Sequence, residues 1–306
     1  MTRLSMSAER HPAQRPAAAP ARRKAAPDPR ARSRDAVIDV APISSPLTPA
    51  DASNPLFVAS VAKCFRVLEA LNASGRALSL TELTAHAALE RSAVQRIAHT
   101  LKALGYLRQH PRTRAYTLSG RMLEFGHTML ATNRLRVKAH PHLAALNAST
   151  GETVNLMELE GNEIVYVARY PSIHAVSVDL HVGSRLPVFC TAAGRAMLAQ
   201  LAPEEAQARL AAAPRQRMTR DTVTDLVQLR RILAETRRLG YALNDQEAFV
   251  GDISVSVALA DREGTIVGAI NIAVPTPRWR VEDVRRRLAP LVITTAREIA
   301  GELGVI

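Results

Sequence analysis

The chain has 306 residues, 47% of them hydrophobic and 4% aromatic, which is enough for two domains with mainly aliphatic cores. Its apolar runs are shorter than the roughly 18 residues of a membrane helix, and the N-terminus carries no signal-peptide pattern. Two cysteines are too few for a disulfide framework. We therefore expect a cytoplasmic protein without a membrane partner.

The formal net charge of +12 is distributed unevenly along the chain. The first 140 residues contain 22 Lys and Arg against 9 Asp and Glu, whereas residues 141–306 contain 18 against 19. A basic segment is the electrostatic signature of nucleic-acid binding. The charge pattern thus predicts a polyanion partner for the N-terminal part and a different task for the rest.

Residues 1–55 are rich in Ala, Pro and Arg, with almost no large apolar side chain before Val37. Such a segment cannot bury enough apolar surface to offset the entropy of ordering, so we predict a disordered tail. Three roles stay open for it: a solvated tail without a specific task, weak attraction to DNA through its arginines, or a targeting peptide.

Residues 56–118 have the pattern of a winged helix-turn-helix domain. The inner face of a first helix is predicted to consist of Val61, Phe65, Leu68 and Leu71. Ser79 and Glu82 form a capping-box pattern that opens a second helix. A third helix is predicted from Arg91 to just before Gly105, with an apolar face of Val94, Ile97, Leu101 and Leu104.

The outer face of the third helix carries Arg, Gln and Ser side chains, which can donate to base edges and phosphates in the major groove. The segment that follows is predicted to be a β-hairpin wing with two arginines at its tip. Each of these side chains alone is also compatible with a solvated surface, but their common face favours DNA binding. The predicted DNA contacts are Ser79, Thr81, Arg91, Ser92, Ala93, Gln95, Arg96, His99, Arg112 and Arg114.

Residues 119–140 are predicted to form a linker helix that Pro141 ends, before a short helix over 142–150. A long helix leaving a small DNA-binding domain is a common place for dimer contacts. A two-fold dimer in turn predicts a palindromic operator in double-stranded DNA.

Residues 141–306 alternate between Val/Ile/Tyr-rich runs and amphipathic helices. Strands are predicted over 153–159, 164–170, 175–180, 254–259 and 266–274. Helices are predicted over 191–201, 203–213, 226–239 and 281–303. This order indicates an α+β domain around an antiparallel sheet.

Five blocks carry a family resemblance from about Leu56 to the end: LSLTELTAHAALERSAVQRIAHTLKALGYL, TGETVNL, VGSRLPVFCTAAGRAMLAQL, RRLGYALNDQEAFVG and IVGAINIAVP. In order and spacing they resemble the IclR family of transcriptional regulators. The resemblance implies a homodimer or tetramer and a C-terminal GAF-like domain that binds an effector. The GSRLP and CTAAGR stretches are most similar to the branch that controls catabolism of aromatic acids, the PcaU- and PobR-like regulators.

The resemblance also implies a pocket for a small organic acid. An exposed helix N-terminus suits a carboxylate physically, because its N–H groups and dipole favour negative charge. The effector-binding positions carried over from the family are Ala192, Ala193, Asn244, Ser254, Asn271 and Ala273, with Asn244 expected in a loop.

Several of these positions depart from the family pattern, in which keto-acid binders often carry Asp at 244, Cys at 254 and Ser at 271 and 273. The preference of this pocket should therefore differ from theirs. Arg169 and Arg185 are candidate partners for a carboxylate, with exposure on the surface as the favoured alternative. The directions of Glu247 and Asp252 stay open. Since no Cys/His cluster has ligand spacing, we expect no metal and no cofactor.

Two other classes of function remain as alternatives. Cys190 precedes a predicted helix, with His174 and His181 nearby, which is compatible with a catalytic thiol, although a small buried side chain is the favoured interpretation. An architectural DNA-binding protein is the second alternative, but the size and near-zero charge of the C-terminal part argue against it. We expect a ligand-responsive regulator of a catabolic operon, repressor or activator, and not an enzyme.

Overall fold

A computed structural model describes residues 53–174 and 180–303. The predicted tail lies outside these ranges except for its last three residues. So does the predicted strand over 175–180, except for Leu180, which belongs to no regular element. No helix in the described ranges is both long and apolar enough to cross a membrane.

The winged helix-turn-helix is confirmed. It consists of α1 (Ala59–Ser74), α2 (Leu80–Ala87), α3 (Arg91–Ala103) and the antiparallel strands β1 (Leu107–Gln109) and β2 (Tyr116–Leu118). The predicted capping box opens α2: the Ser79 hydroxyl accepts from the Glu82 N–H at 3.3 Å, and the Glu82 carboxylate accepts from the Ser79 N–H at 2.8 Å. Ala88, in the left-handed region at φ 48°, ends α2 and makes the turn into α3.

The predicted inner face of α1 is wrong in its first half. Val61 and Phe65 are 51% and 57% exposed, and the buried side chains are Val67, Ala70 and Leu71. The first turns of α1 thus carry apolar side chains that the small core of this domain does not cover. Helical periodicity cannot separate a core-facing stripe from an exposed apolar stripe. Leu104 of the predicted α3 face is likewise 52% exposed.

The linker is two helices, α4 (Met122–Thr132) and α5 (Arg134–Thr150), with Asn133 in an extended conformation between them. The expectation that Pro141 ends a helix is wrong, because Pro141 lies inside α5. A proline removes the bond to the carbonyl four residues earlier. That residue is Val137, which is 54% exposed, so water can reach the freed carbonyl, while Leu135, Ala139 and Leu143 hold the helix to the sheet.

The C-terminal part is built on a six-stranded antiparallel sheet in the order β5-β4-β3-β8-β7-β6. Its strands are β3 (Thr153–Glu160), β4 (Glu163–Tyr170), β5 (Arg185–Pro187), β6 (Ala242–Asp245), β7 (Asp252–Ala260) and β8 (Ile266–Pro275). The predicted α+β class is therefore confirmed, whereas the short strands β5 and β6 were not predicted.

Helices cover both faces of this sheet. The core on one face includes α5 and the C-terminal helix α10 (Ala289–Glu302), which follows the short α9 (Val281–Asp283) and a π-helical stretch over Val284–Leu288. The core on the other face includes α6 (Ala192–Leu198), α7 (Pro203–Ala212) and α8 (Leu226–Leu239). A cavity lies on the α6 side of the sheet, where Ala192 and Ala193 of α6 contribute to its lining.

Candidate DNA-binding surface and effector cavity

Helix α3 presents a polar face to solvent and an apolar face to the domain core. The side chains of Val94, Ala98 and Leu101 are buried. Ala93 is half-buried, and the other predicted contacts on this helix are exposed, namely Arg91, Ser92, Gln95, Arg96 and His99. This is the arrangement that a recognition helix needs, because the buried side holds the helix while the exposed side stays accessible.

Side chains on α1 and α2 hold the start of α3 and the turn that precedes it. Thr81 is exposed on α2, and its hydroxyl accepts a hydrogen bond from Arg91 at 2.9 Å. The hydroxyl of Ser79 accepts from Glu82 in the capping box, and its contact with DNA stays a prediction. Arg66 of α1, which sequence reasoning missed, donates to the carbonyls of Ala87 and Ala88 at 2.6 and 2.8 Å and secures the turn.

The wing carries Arg112 and Arg114 at its exposed tip. Arg114 adopts φ 58°, and its carbonyl accepts from the Gln109 side chain at 3.0 Å. Lys102 of α3 donates to the same glutamine at 3.2 Å and so links helix and wing. The predicted contacts thus sit on α2, α3 and the wing of one domain, and their role toward DNA stays a prediction.

The C-terminal domain contains a cavity of about 340 Å³, at the small end of the range for ligand pockets. Strands β3, β4, β6, β7 and β8 contribute lining residues, together with the start of α6 and the segment over 248–251. All six predicted effector positions line it: Ala192, Ala193, Asn244, Ser254, Asn271 and Ala273.

Two rows of residues run across the sheet beneath this cavity. In the first, Asn244, Ser254, Ala273 and Thr153 are neighbours on β6, β7, β8 and β3. In the second, Arg169 of β4, Asn155 of β3 and Asn271 of β8 are neighbours. The Arg169 guanidinium donates to Asn155 at 3.0 Å, and Asn155 donates to Asn271 at 2.8 Å. Register therefore brings together side chains that lie more than 100 residues apart in sequence.

The two candidate arginines have different surroundings. Arg169 is half-buried and lines the cavity, so the favoured surface interpretation was wrong for it. Arg185 does not line the cavity, since its exposed side chain pairs with Glu160 at 2.6 Å and Glu163 at 2.8 Å. Arg169 is thus the one of the two that can meet a ligand carboxylate.

Asn244 lies on strand β6 and not in a loop as expected. Its amide donates to the carbonyl of Cys190 at 2.6 Å, and its oxygen accepts from the Glu247 N–H at 3.2 Å. It therefore holds the segment before α6 against the segment after β6.

A buried ion pair strengthens the same junction. Arg195 of α6, only 1% exposed, donates to both carboxylate oxygens of Glu247 at 2.5 and 2.6 Å. Its Nε donates to the carbonyl of Phe189 at 2.7 Å, and Glu247 also accepts from the Val223 N–H at 2.8 Å. Glu247 therefore points away from the cavity and into this network, which settles its open direction.

The start of α6 packs very closely against the preceding segment. A Cβ at Gly194 would lie 2.3 Å from the carbonyl oxygen of Val188, so only glycine fits there. The Thr191 hydroxyl accepts from the Gly194 N–H at 3.2 Å, which occupies one of the exposed donors of this short helix. A carboxylate at this helix start would therefore need other polar groups of the cavity as well.

Asp252 and Tyr166 line the cavity as well, and sequence reasoning did not identify them as pocket residues. Burial raises the pKa of Asp252 to about 7, although the charge of Arg169 works in the opposite direction. Burial, followed by the charge of Asp252, raises the pKa of the Tyr166 hydroxyl above its usual value. Tyr166 lies on a predicted strand, whereas Asp252 precedes the predicted strand 254–259 by two residues and opens the observed strand β7. Strand alternation does not tell which face of a strand borders a cavity.

The geometry around Cys190 does not support a catalytic thiol. The side chain is buried, and burial raises its pKa to about 12, so the thiolate is strongly disfavoured near neutral pH. Both His174 and His181 are exposed, and among the described residues no histidine lies at hydrogen-bonding distance from its sulfur. Cys190 packs as a small apolar side chain.

Comparison with known families matches both parts of the chain. Residues 60–111 match the IclR helix-turn-helix domain, and residues 127–301 match the C-terminal domain of bacterial IclR transcriptional regulators. The winged domain and the cavity-bearing domain thus correspond to the two domains of one kind of regulator.

Individual relatives agree over most of their length. The Pca regulon regulatory protein of Pseudomonas putida is 31% identical over 251 residues, or 82% of this chain and 86% of the relative. The regulator KdgR of Escherichia coli is 30% identical over 250 residues, or 82% and 94%. An IclR homologue of Microbacterium hydrocarbonoxydans, solved in complex with 4-hydroxybenzoate, superimposes with a TM-score of 0.68 at 28% identity over 80% of this chain and 98% of that one. The chain therefore belongs to the IclR family of transcriptional regulators.

Proposed function

We propose that this regulator senses a small organic acid, with aromatic acids as one candidate class, and controls a catabolic operon in response. The observation that carries the proposal is the cavity beside α6, in which the guanidinium of Arg169 stands in a row with the carboxamides of Asn155 and Asn271. One positive charge and several neutral polar groups suit a carboxylate ligand.

The DNA side of the proposal uses the basic N-terminal part. Arg91, Arg96 and the wing arginines would neutralise phosphates, which supplies most of the affinity, while Gln95 and Arg96 would contact base edges. The remaining predicted contacts on α2 and α3 would fix the orientation of the helix in the groove.

A homodimer is the proposed binding unit, and pairs of dimers would make a tetramer. Helix α4 has no buried residue, and Leu123, Phe125 and Met129 on it are 75%, 60% and 45% exposed. Apolar side chains in such numbers on one helix favour burial against a second copy. A two-fold axis there would place two recognition helices on a palindromic operator.

The proposed domain organisation is a tail over 1–55, a DNA-binding domain over 56–118, a linker over 119–140 and an effector domain over 141–306. The effector would change the placement of the two DNA-binding domains through the linker. For this, it must bind the DNA-competent and DNA-incompetent states with different affinity.

Support for an aromatic acid comes from relatives. One relative is a Pca regulon regulatory protein, and one structural neighbour is a complex with 4-hydroxybenzoate. The predicted contacts Ala192, Ala193, Ser254 and Ala273 have small side chains, which leave room for a compact ligand such as a benzoate.

The experiment is a calorimetric titration of a panel of aromatic, keto and hydroxy acids into wild-type protein and the Asn271→Leu variant. Replacing the carboxamide with an apolar group removes the partner of Asn155, so we expect acid binding to be lost while operator binding is kept. Thermal unfolding would check that the variant is folded. Acid binding that survives in this variant would show that the site lies elsewhere, and DNA binding that no acid alters would favour an architectural protein.

A further inference from the structure

The row of Arg169, Asn155 and Asn271 is a chain of hydrogen bonds that runs in one direction. The three residues are neighbours on β4, β3 and β8, so their side chains lie on one face of the sheet. The guanidinium of Arg169 donates to Oδ1 of Asn155 at 3.0 Å. Nδ2 of Asn155 then donates to Oδ1 of Asn271 at 2.8 Å.

The arginine determines how both carboxamides are turned. A carboxamide can be rotated by 180° with little change of shape, so its neighbours decide which atom faces which way. A guanidinium carries only donors, so the Asn155 atom that faces Arg169 must be the oxygen. The NH2 group of Asn155 is left to face Asn271, and because it can only donate, it must meet the Asn271 oxygen.

The NH2 group of Asn271 is the free end of this chain. Asn271 lines the cavity and is only 5% exposed, and within the described ranges no hydrogen bond uses its Nδ2. In those ranges the one enclosed side-chain polar atom without a partner is Nε of Arg136. Nδ2 of Asn271 is therefore accessible, and the cavity is the space that it borders. Its N–H groups require an acceptor there.

We infer that Arg169 is a positioning residue: through Asn155 it turns the carboxamide of Asn271 so that the NH2 group faces the cavity, where it binds the carboxylate of the ligand. This inference rests on the proposed function of the cavity as an acid sensor. It adds where the carboxylate lies, namely against β8, and which two residues outside the six effector positions prepare that place. Arg169 has a further interaction besides its bond to Asn155, and positioning does not require it to reach the ligand.

Asn155→Ala separates positioning from a direct contact between Arg169 and the acid. This change leaves the charge of Arg169 in place and removes its connection to Asn271. We expect the acid to bind at least about fivefold more weakly, because the Asn271 oxygen lacks a partner whenever the NH2 group is held by the acid. If Arg169 bound the acid directly, the same change would release the guanidinium from Asn155, and affinity would stay the same or rise.

The measurement is calorimetry on the full-length protein with benzoate, 4-hydroxybenzoate, pyruvate and lactate. The probe that binds the wild type most tightly is then titrated into the variants. The matched control is Ser256→Ala. Ser256 is buried, is paired with Asn271 across β7 and β8, and does not line the cavity, and its hydroxyl donates to the carbonyl of Ile270 at 2.7 Å. Its loss should lower the thermal unfolding temperature and leave acid affinity unchanged.

Neutron diffraction from wild-type crystals grown in D2O tests the orientation without any variant, which matters if Asn155→Ala does not fold. Deuterons should be seen on the Asn155 atom that faces Asn271 and on the Asn271 atom that faces the cavity. The reverse orientation at Asn271 would overturn the inference.

The outcomes separate this inference from the function on which it rests. Acid binding that Asn155→Ala leaves unchanged or strengthens would overturn the positioning role and leave acid sensing intact. A loss of affinity as large in Ser256→Ala as in Asn155→Ala would also overturn it, because the effect would then reflect general destabilisation. Binding of no probe by the wild type would overturn acid sensing and the inference together.

Discussion

The side-chain amide of Asn133 donates a hydrogen bond of 2.6 Å to the carboxylate of Glu158, which joins the break between α4 and α5 to the central sheet. Glu158 lies on β3, three residues beyond Asn155 of the cavity. The Asn133 oxygen also caps α5 by accepting from the Arg136 N–H at 2.8 Å. One side chain therefore contacts the linker and the strand that lines the cavity.

We predict that Asn133→Ser will weaken the effect of the acid on DNA binding. Serine can still cap α5, but it is too short to bond Glu158, so only the link to β3 is lost. The coupling free energy, typically about 1–3 kcal/mol for allosteric proteins, should fall, while acid affinity of the free protein should stay the same. Anisotropy on operator DNA with and without acid measures it, and a full response in this variant would rule out the link as a coupling contact.

We expect Arg96→Ala to reduce specific DNA binding by about 1–3 kcal/mol, because an exposed arginine on a recognition helix can make a bidentate contact to a base. The matched control is Arg238→Ala, which removes an exposed arginine from α8 in the effector domain. Competition assays with operator and unrelated DNA would measure both variants. Equal operator affinity for the two would mean that α3 has been placed on the wrong surface.

Glu247→Ala should destabilise the protein by about 3–5 kcal/mol, because Arg195 would remain as a buried charge without its partner. Glu205→Ala, which removes an exposed partner of Arg209 on α7, should cost about 1 kcal/mol or less. Chemical denaturation gives both free energies of unfolding. Similar values for the two variants would show that the buried pair is not a main stabilising contact of the cavity wall.

The raised pKa of Asp252 predicts a pH-dependent stability. Its pKa is about 7 in the folded protein against an ordinary value of 3.8, so the fold favours the neutral form. Stability is lost as the pH rises from about 4 to about 7, because the unfolded chain releases this proton first. Asp252→Asn should therefore match the wild type near pH 4 and be the more stable protein near pH 8. A difference in thermal unfolding temperature that does not grow with pH would contradict the assignment.

Local sequence signals predicted most of the helices but not which parts of them are buried and which face water. The capping box at Ser79 and Glu82 and the apolar spacing of α3 act within one helix, so they are visible in the sequence. A proline inside a helix is tolerated when water reaches the carbonyl that it leaves without a partner. Whether water reaches that carbonyl depends on packing, so the sequence could not show that the helix continues through Pro141. Val61 and Phe65 were assigned to the core because an exposed apolar stripe has the same period as a buried one.

The cavity was predictable only in part, for a related reason. Family resemblance supplied the six positions that the structure brings together on its wall. The sequence favoured a surface position for Arg169 over a position in the cavity. Its proximity to Asn155 and Asn271 depends on the register of β4, β3 and β8, which no local pattern encodes. Asp252 stands at the start of a strand, and only the position of the cavity shows that it borders the ligand space.

The most direct test of acid-responsive regulation is fluorescence anisotropy of the protein on labelled DNA from upstream of its own gene, titrated with a panel of aromatic, keto and hydroxy acids. We predict a specific complex whose affinity changes with one of these acids, and a loss of that change in Asn271→Leu. A specific complex that none of these acids alters would contradict acid sensing, and binding without sequence preference would contradict the assignment of the DNA-binding surface.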